Sequence, residues 1–243
     1  MKRIALAAAA LAIGTVSASA ADLAARPYTK APAPVAAVYN WTGFYLGAQV
    51  GYAWGDNSTT EFVTATGLPT GFTQGFNTDG FVGGGHIGYN WQVGQFVIGL
   101  EGDLEGADIN GGYRLIPSLD GTDFRLDAQA SIRGRLGVAF NNSLLYVTGG
   151  VAWADMEHTY VNANTFFETH STTRTGWTVG AGWEYGFTPN WSARLEYRYT
   201  DFGTFRNASV FSFPGFTYEH DPVFHTVRGG ISYRFGGPVV ARY

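Results

Sequence analysis

From Trp41 onward, hydrophobic and polar positions alternate with period two, the spacing at which a strand sends successive side chains to opposite faces. In the first such segment Phe44, Leu46, Ala48, Val50, Tyr52 and Trp54 share one face, opposite Tyr45, Gly47, Gln49, Gly51 and Ala53. The second sets Phe81, Ile87, Tyr89 and Trp91 against Val82, His86 and Asn90, and the third Phe96, Ile98, Leu100 and Leu104 against Glu101, Asp103 and Glu105. In the fourth, Leu126, Ala128, Ala130, Ile132, Leu136, Val138 and Phe140 oppose Asp127, Gln129, Ser131, Arg133 and Arg135. The pattern continues through Leu145 to Trp153, Trp177 to Phe187, Trp191 to Tyr199 and Val227 to Phe235. Eight segments result, an even number, as a closed antiparallel transmembrane barrel of the bacterial type requires.

The connections support the same topology. Links at about 56–80, 106–124, 155–173 and 203–223 are long, and they alternate with short ones at Gln92-Val93-Gly94-Gln95, Asn141-Asn142-Ser143 and Thr188-Pro189-Asn190. Such barrels carry short periplasmic turns and longer outside loops. The expected fold is therefore all-β: an eight-stranded antiparallel transmembrane β-barrel with both termini in the periplasm and four long extracellular loops.

One face is apolar and the other charged. The outward aromatics gather at two heights: Trp91, Phe96, Phe140, Phe187, Trp191 and Phe235 near the short turns, and Trp54, Phe81, Trp153, Trp177 and Tyr199 near the long loops. Two belts are expected where rings meet lipid headgroups. The inward charges are Glu101, Asp103, Glu105, Asp127, Glu184 and Glu196 against Arg133, Arg135, Arg194, Arg198, Arg228 and Arg234. An eight-stranded barrel is just wide enough for side chains to fill it, so these groups are expected to form an ionic plug with little or no conduction. A charged conduction path is the alternative reading.

The chain begins as an address. Met1, Lys2 and Arg3 precede an apolar run over Ile4 to Ile13 and the small residues Ala18-Ser19-Ala20, so residues 1–20 read as a cleaved signal peptide. No later stretch approaches the ~20 apolar residues a membrane helix needs. Residues 21–40 are rich in Pro and Ala and lack periodicity, which reads as a periplasmic lead-in, leaving residues 41–243 for the barrel. Composition agrees: 34 Gly, 18 Phe, 14 Tyr and 7 Trp among 243 residues suit twisted, ring-belted strands better than a soluble mixed fold. The absence of Cys fits an oxidising periplasm and removes any disulfide or thiolate-metal scaffold. A net charge of −4 without a basic cluster after the signal excludes a nucleic-acid partner.

Chemistry-bearing motifs are few. His86 falls inward and reads as a hydrogen-bonded lumen histidine. Gly83-x-Gly85-x-x-Gly88 matches the dinucleotide fingerprint by letter, but it lies within a strand and opens no helix. His220 and His225, near Glu219 and Asp221, are weak candidates for loop haem ligation, and their spacing fits no metal rule. Barrels resembling the lipid A deacylases carry His-x-Ser on one strand face; none of His86, His158, His170, His220 or His225 has Ser two positions on. No enzyme, resident cofactor or metal is expected.

Several stretches together resemble the small outer-membrane β-barrel proteins of rhizobial and related alphaproteobacteria, often labelled porins. They are Tyr39-Asn40-Trp41-Thr42-Gly43-Phe44-Tyr45-Leu46-Gly47, Gly99-Leu100-Glu101-Gly102-Asp103, Arg133-Gly134-Arg135-Leu136-Gly137, Gly180-Ala181-Gly182-Trp183-Glu184 and Leu195-Glu196-Tyr197-Arg198-Tyr199. The resemblance implies an exported, surface-exposed barrel similar to the transmembrane part of outer membrane protein A, in contact with lipopolysaccharide. It also implies an insertion signal for the barrel-assembly machinery ending in an aromatic, matched by Tyr233 and Phe235, with Tyr243 as the terminal alternative. Some members bind haemin, which makes haemin uptake or a narrow porin the alternative to a structural role.

Overall fold

The computed structural model describes residues 39–163 and 166–236. Its strands are β1 (Gly43–Val63), β2 (Pro69–Val93), β3 (Phe96–Arg114), β4 (Gly121–Phe140), β5 (Ser143–Asn162), β6 (Phe166–Gly186), β7 (Trp191–Asp201), β8 (Phe205–Ser209), β9 (Phe216–His220) and β10 (Val223–Arg234). Each of β1 to β6 pairs antiparallel with the next, β7 pairs with β10, and β10 returns to β1, closing a ring of eight. Closure leaves no open edge over the span where all eight strands are paired, the condition a sheet must meet in lipid. β8 and β9 form a hairpin outside the ring, with β9 laid against the far end of β1.

At one end the turns are tight. β2 passes to β3 through Gly94, whose φ of 62° only glycine adopts freely, and β4 to β5 through Asn141 and Asn142, with Asn141 at φ 52°. The other end corrects the expectation of long loops. The ladder between β1 and β2 keeps one register from Gly43↔Asn90 to Thr60↔Thr73, so most of residues 56–80 is strand and the turn shrinks to residues 64–68. Likewise β3 and β4 leave only residues 115–120 between them, and the 203–223 link contains the β8–β9 hairpin. Backbone N–H and C=O groups need partners wherever they lie, and continuing the ladder supplies them.

A second correction concerns register on β4. Leu126 pairs with Met156 but Ala128 pairs with Asp155, so Asp127 is an extra, bulged residue. A one-residue slip exchanges the two faces of a strand. Leu126, expected outward, is therefore buried inside, and Asp127, expected in the lumen, lies outside beside Arg125 at 2.5 Å.

Inside the ring the side chains stack in four tiers. Nearest the tight turns lie Tyr39, Trp41, Val97, Ala139, Leu144 and Tyr146, all buried. Tyr39 belongs to the segment expected as lead-in, yet its ring fills the mouth against Gly186, where any added Cβ would collide with it. Above comes the charged tier, then an apolar tier of Ala53, Phe76, Val82, Ile109, Phe124, Leu126, Ala152, Ala154, Met156, Phe202 and Phe224. The fourth, at the long end, holds His158, Tyr160, Phe205, Tyr218 and His220. The outer wall between the aromatic belts is apolar and open, with Phe81, Leu104, Phe96 and Trp91 among its most exposed residues.

Candidate functional site

The charged tier is built by the inward positions of β3 to β7 and β10. Arg133 sits at its centre, with no exposed side-chain surface. One guanidinium nitrogen donates to Glu101 Oε1 at 2.6 Å and Asp103 Oδ2 at 3.0 Å, the other to Glu196 Oε1 at 2.8 Å and Thr148 Oγ1 at 3.0 Å. Arg194 donates to Glu101 Oε2 at 2.6 Å and also to Gln49. Arg198 reaches Asp103 at 2.8 Å, and Arg228 reaches Glu105 Oε1 at 2.9 Å. Arg135 pairs with Glu184, which also accepts from Ser192, and its guanidinium lies 3.8 Å above the Tyr146 ring. Shared hydrogen bonds, up to four at Arg133, are what makes burial of these charges tolerable, while Arg228 holds Glu105 through a single nitrogen.

Two of the expected members stand apart from this carboxylate–guanidinium array. Asp127 is outside the wall, as described. Arg234 lies at the tight-turn mouth, donating to the carbonyls of Pro189 (2.6 Å) and Thr42 (3.2 Å) rather than to a carboxylate, with the Tyr39 ring 5.1 Å away. Conversely, neutral groups complete the array. The Tyr45 and Tyr146 hydroxyls donate to Glu101 (2.8 Å) and Glu196 (3.0 Å), Gln49 and Gln129 donate to Glu105 (2.6 and 2.8 Å), and Ser131 donates to Asp103 (2.6 Å). All occupy inward positions of the period-two pattern, so parity marks them once polar as well as charged residues are read on that face. His86 lies among them, with Nε2 2.8 Å from Ser232 Oγ.

The two haem candidates are not brought together. His220 is buried in the fourth tier, where Nε2 lies 2.7 Å from the Tyr160 hydroxyl and Nδ1 3.2 Å from Thr59 Oγ1. His225 faces outward on β10, stacked on Trp54 and 2.7 Å from the Tyr197 hydroxyl. Residues on opposite faces of the wall cannot ligate one iron. Tyr233 packs its ring against Trp191 and Phe235, each at 5.1 Å, while Tyr243 lies outside the described residues.

The fourth tier has its own electrostatics. The His158 and His220 rings are 4.2 Å apart. Burial, with the charges of Arg174 and His170 nearby, pushes His158 down to about 3, and burial with His158 as neighbour pushes His220 well below the ordinary imidazole value. Both imidazoles are therefore neutral at pH 7. At the rim, Glu168 accepts from the N–H groups of Val210, Phe211 and Ser212 and from Ser209 Oγ. Burial alone raises its carboxyl, but those donors outweigh it and hold Glu168 at about 2.

Known proteins agree with this architecture. The sequence model of the family described as outer membrane protein beta-barrel domain matches residues 6–235. The 31 kDa outer-membrane immunogenic protein of Brucella melitensis biotype 1 is 32% identical over 244 residues, covering 97% of this chain and all of the relative. The 22 kDa outer membrane protein of Rhizobium leguminosarum bv. viciae is 40% identical over 172 residues, covering 70% of this chain and 68% of the relative. Among solved structures, the outer membrane protein OprG of Pseudomonas aeruginosa superposes with a TM-score of 0.52 at 12% identity, covering 81% of this chain and 98% of that one, a likeness of fold alone. The chain thus belongs to the outer membrane protein β-barrel family, and its place is the outer membrane of a Gram-negative bacterium.

Proposed function

We propose that this protein is a structural, surface-displaying barrel, closed to solutes and without catalytic activity. The observation that supports this reading is the filling of its lumen: an ion-paired tier lies between two apolar tiers, Tyr39, Trp41 and Leu144 below and Phe124, Leu126 and Met156 above. A hydrated ion crossing this interior must displace packed rings at both ends as well as separate Arg133 from three carboxylates. The tight turns then face the periplasm and the long end the exterior, in the sense usual for such barrels. The wall between the belts contacts outer-membrane lipid, and the outer belt meets lipopolysaccharide. Tyr233 and Phe235, closing the last strand, are the groups offered to the barrel-assembly machinery.

Liposome swelling tests the reading. Liposomes carrying the refolded protein are expected to resist arabinose-driven swelling as protein-free liposomes do. Swelling at the rate given by an open porin overturns the proposal. The non-catalytic half is tested by mass spectrometry of lipid A after overexpression: unchanged masses are expected, and trimmed species contradict it.

A further inference from the structure

Beyond the outer belt, not every strand keeps two neighbours to its tip. The ladder from β2 to β3 stops at Thr78↔Gly111, whereas β2 continues to Pro69 paired with β1 alone. The carbonyl of Asn77 lies against Gly111 and so faces β3. By strand alternation the N–H and C=O groups of Gly75 and Thr73 face the same side, where among the described residues no strand pairs with them; the Gly75 carbonyl accepts only from the side-chain amide of its neighbour Gln74, at 2.9 Å, a bond that an incoming strand would replace. A second seam opens on β6, whose ladder to β7 begins only at Trp177↔Asp201.

The two seams are treated differently. Across the β6 seam, Glu168 takes three N–H groups of residues 210–212, and the Arg174 guanidinium lies 3.7 Å over the Phe205 ring of β8. Charge and a covering segment are the usual means of blunting an edge. The β2 edge has neither: residues 70–78 carry no charge, and the nearest element across the seam meets it through rings, Tyr113 at 6.5 Å from Phe72 and 5.8 Å from Phe76. Beside this edge is a cleft lined by Glu61, Phe72, Tyr113, Leu115, Asp120 and Tyr218. The surrounding surface is acidic, since segments 55–80, 106–127, 155–176 and 200–224 together hold thirteen Asp and Glu against four Arg and no Lys.

We propose that the free edge of β2 and its adjoining cleft bind an extended, basic peptide segment of another protein. The peptide adds as a strand, exchanging backbone hydrogen bonds with Thr73 and Gly75. A Lys or Arg side chain enters the cleft over the Tyr113 ring, between the carboxylates of Glu61 and Asp120. The acidic surface selects the sign of the partner and speeds encounter. This goes beyond the sealed-lumen reading and does not depend on it, because the edge stands on the rim above the packed tiers.

The test uses the refolded full-length protein in zwitterionic micelles and a fluorescein-labelled octapeptide of alternating Val and Lys, read by anisotropy. Saturable binding is expected, weakened about tenfold or more by Gly75→Pro, which removes an N–H that faces the seam and not the β1 ladder. Thr73→Lys, which places a guarding charge on an exposed position of the same edge, is expected to weaken it too and keeps the test alive should the proline variant misfold. Three outcomes overturn the proposal: no saturable binding, an alternating Val and Glu peptide binding as tightly, or binding lost in Glu61→Gln with Asp120→Asn but unchanged in both edge variants. The last would mean charge attraction without strand addition.

Discussion

The same strands carry two opposite polarities. Between the aromatic belts the inside is charged and the outside apolar, with Arg133 and Glu101 within the ring and Leu104 and Ile132 on the wall. Beyond the outer belt the order reverses, with Phe124, Leu126 and Met156 inside and Asp123, Arg125 and Glu157 turned outward. Strand chemistry is unchanged across the boundary; what changes is the solvent on the outer wall. Where lipid surrounds the wall, polar groups can be satisfied only by one another in the lumen, whereas water outside lets the ring pack like an ordinary soluble core.

The comparison breaks most severely if one ion is removed from the lipid-encircled half. Arg133→Met leaves Glu101, Asp103 and Glu196 without their shared cation, and the refolded barrel is expected to lose about 3–5 kcal/mol in urea titrations. In the upper half the corresponding lesion is a cavity. Leu126→Ala, at a position with no exposure, is expected to lose about 2–4 kcal/mol with the charged tier intact.

Acid sharpens the contrast further. His158 and His220 are held neutral when folded, so the unfolded or opened state binds more protons once pH falls below the ordinary imidazole value of about 6.5. Their contribution is complete above that pH and is lost progressively as pH falls, for His158 down to about 3 and at roughly 1.4 kcal/mol over the first unit below 6.5, with His220 acting in the same direction. Glu168, with its depressed carboxyl, adds a second loss in the same direction, beginning below about 4.5. Amide protection factors, which refer each exchange rate to the intrinsic rate at that pH, are expected to fall at residues 158–160 on acidification from pH 7 to 5.5 and at residues 209–213 only below about pH 4.5, while those at residues 131–135 stay flat. The smallest effect belongs to Asp127→Asn. Its pair with Arg125 is more than half exposed on both sides, so the urea midpoint is expected to stay at the wild-type value, whereas a large drop would follow if Asp127 lay in the lumen.

What could be read from the sequence follows the same boundary. Period two with charges on one face identifies the ring and ten of the residues that meet in the lumen array, because lipid forces a clean alternation there. Beyond the belt, Thr, Ser, Asn and Gly occupy the watery face while scattered rings such as Phe76 and Tyr113 point inward, which reads locally as loop. The bulge at Asp127 left no trace, since Leu126, Ala128 and Ala130 continue an unbroken alternation of letters across it. The sealing tiers were hidden for another reason. Residues such as Val82, Val97 and Leu144 are apolar on the face where polarity was the rule, and only the closed ring brings Val97 and Leu144 together with Trp41 in one tier and Val82 with Phe124 in another.

Single-channel recording of the refolded protein in a planar bilayer at neutral pH tests the sealed lumen most directly. No steps, or rare small ones, are the predicted result. Large, steady steps from the wild-type barrel would contradict it, because no continuous water path can coexist with a paired Arg133 and packed rings on both sides of it.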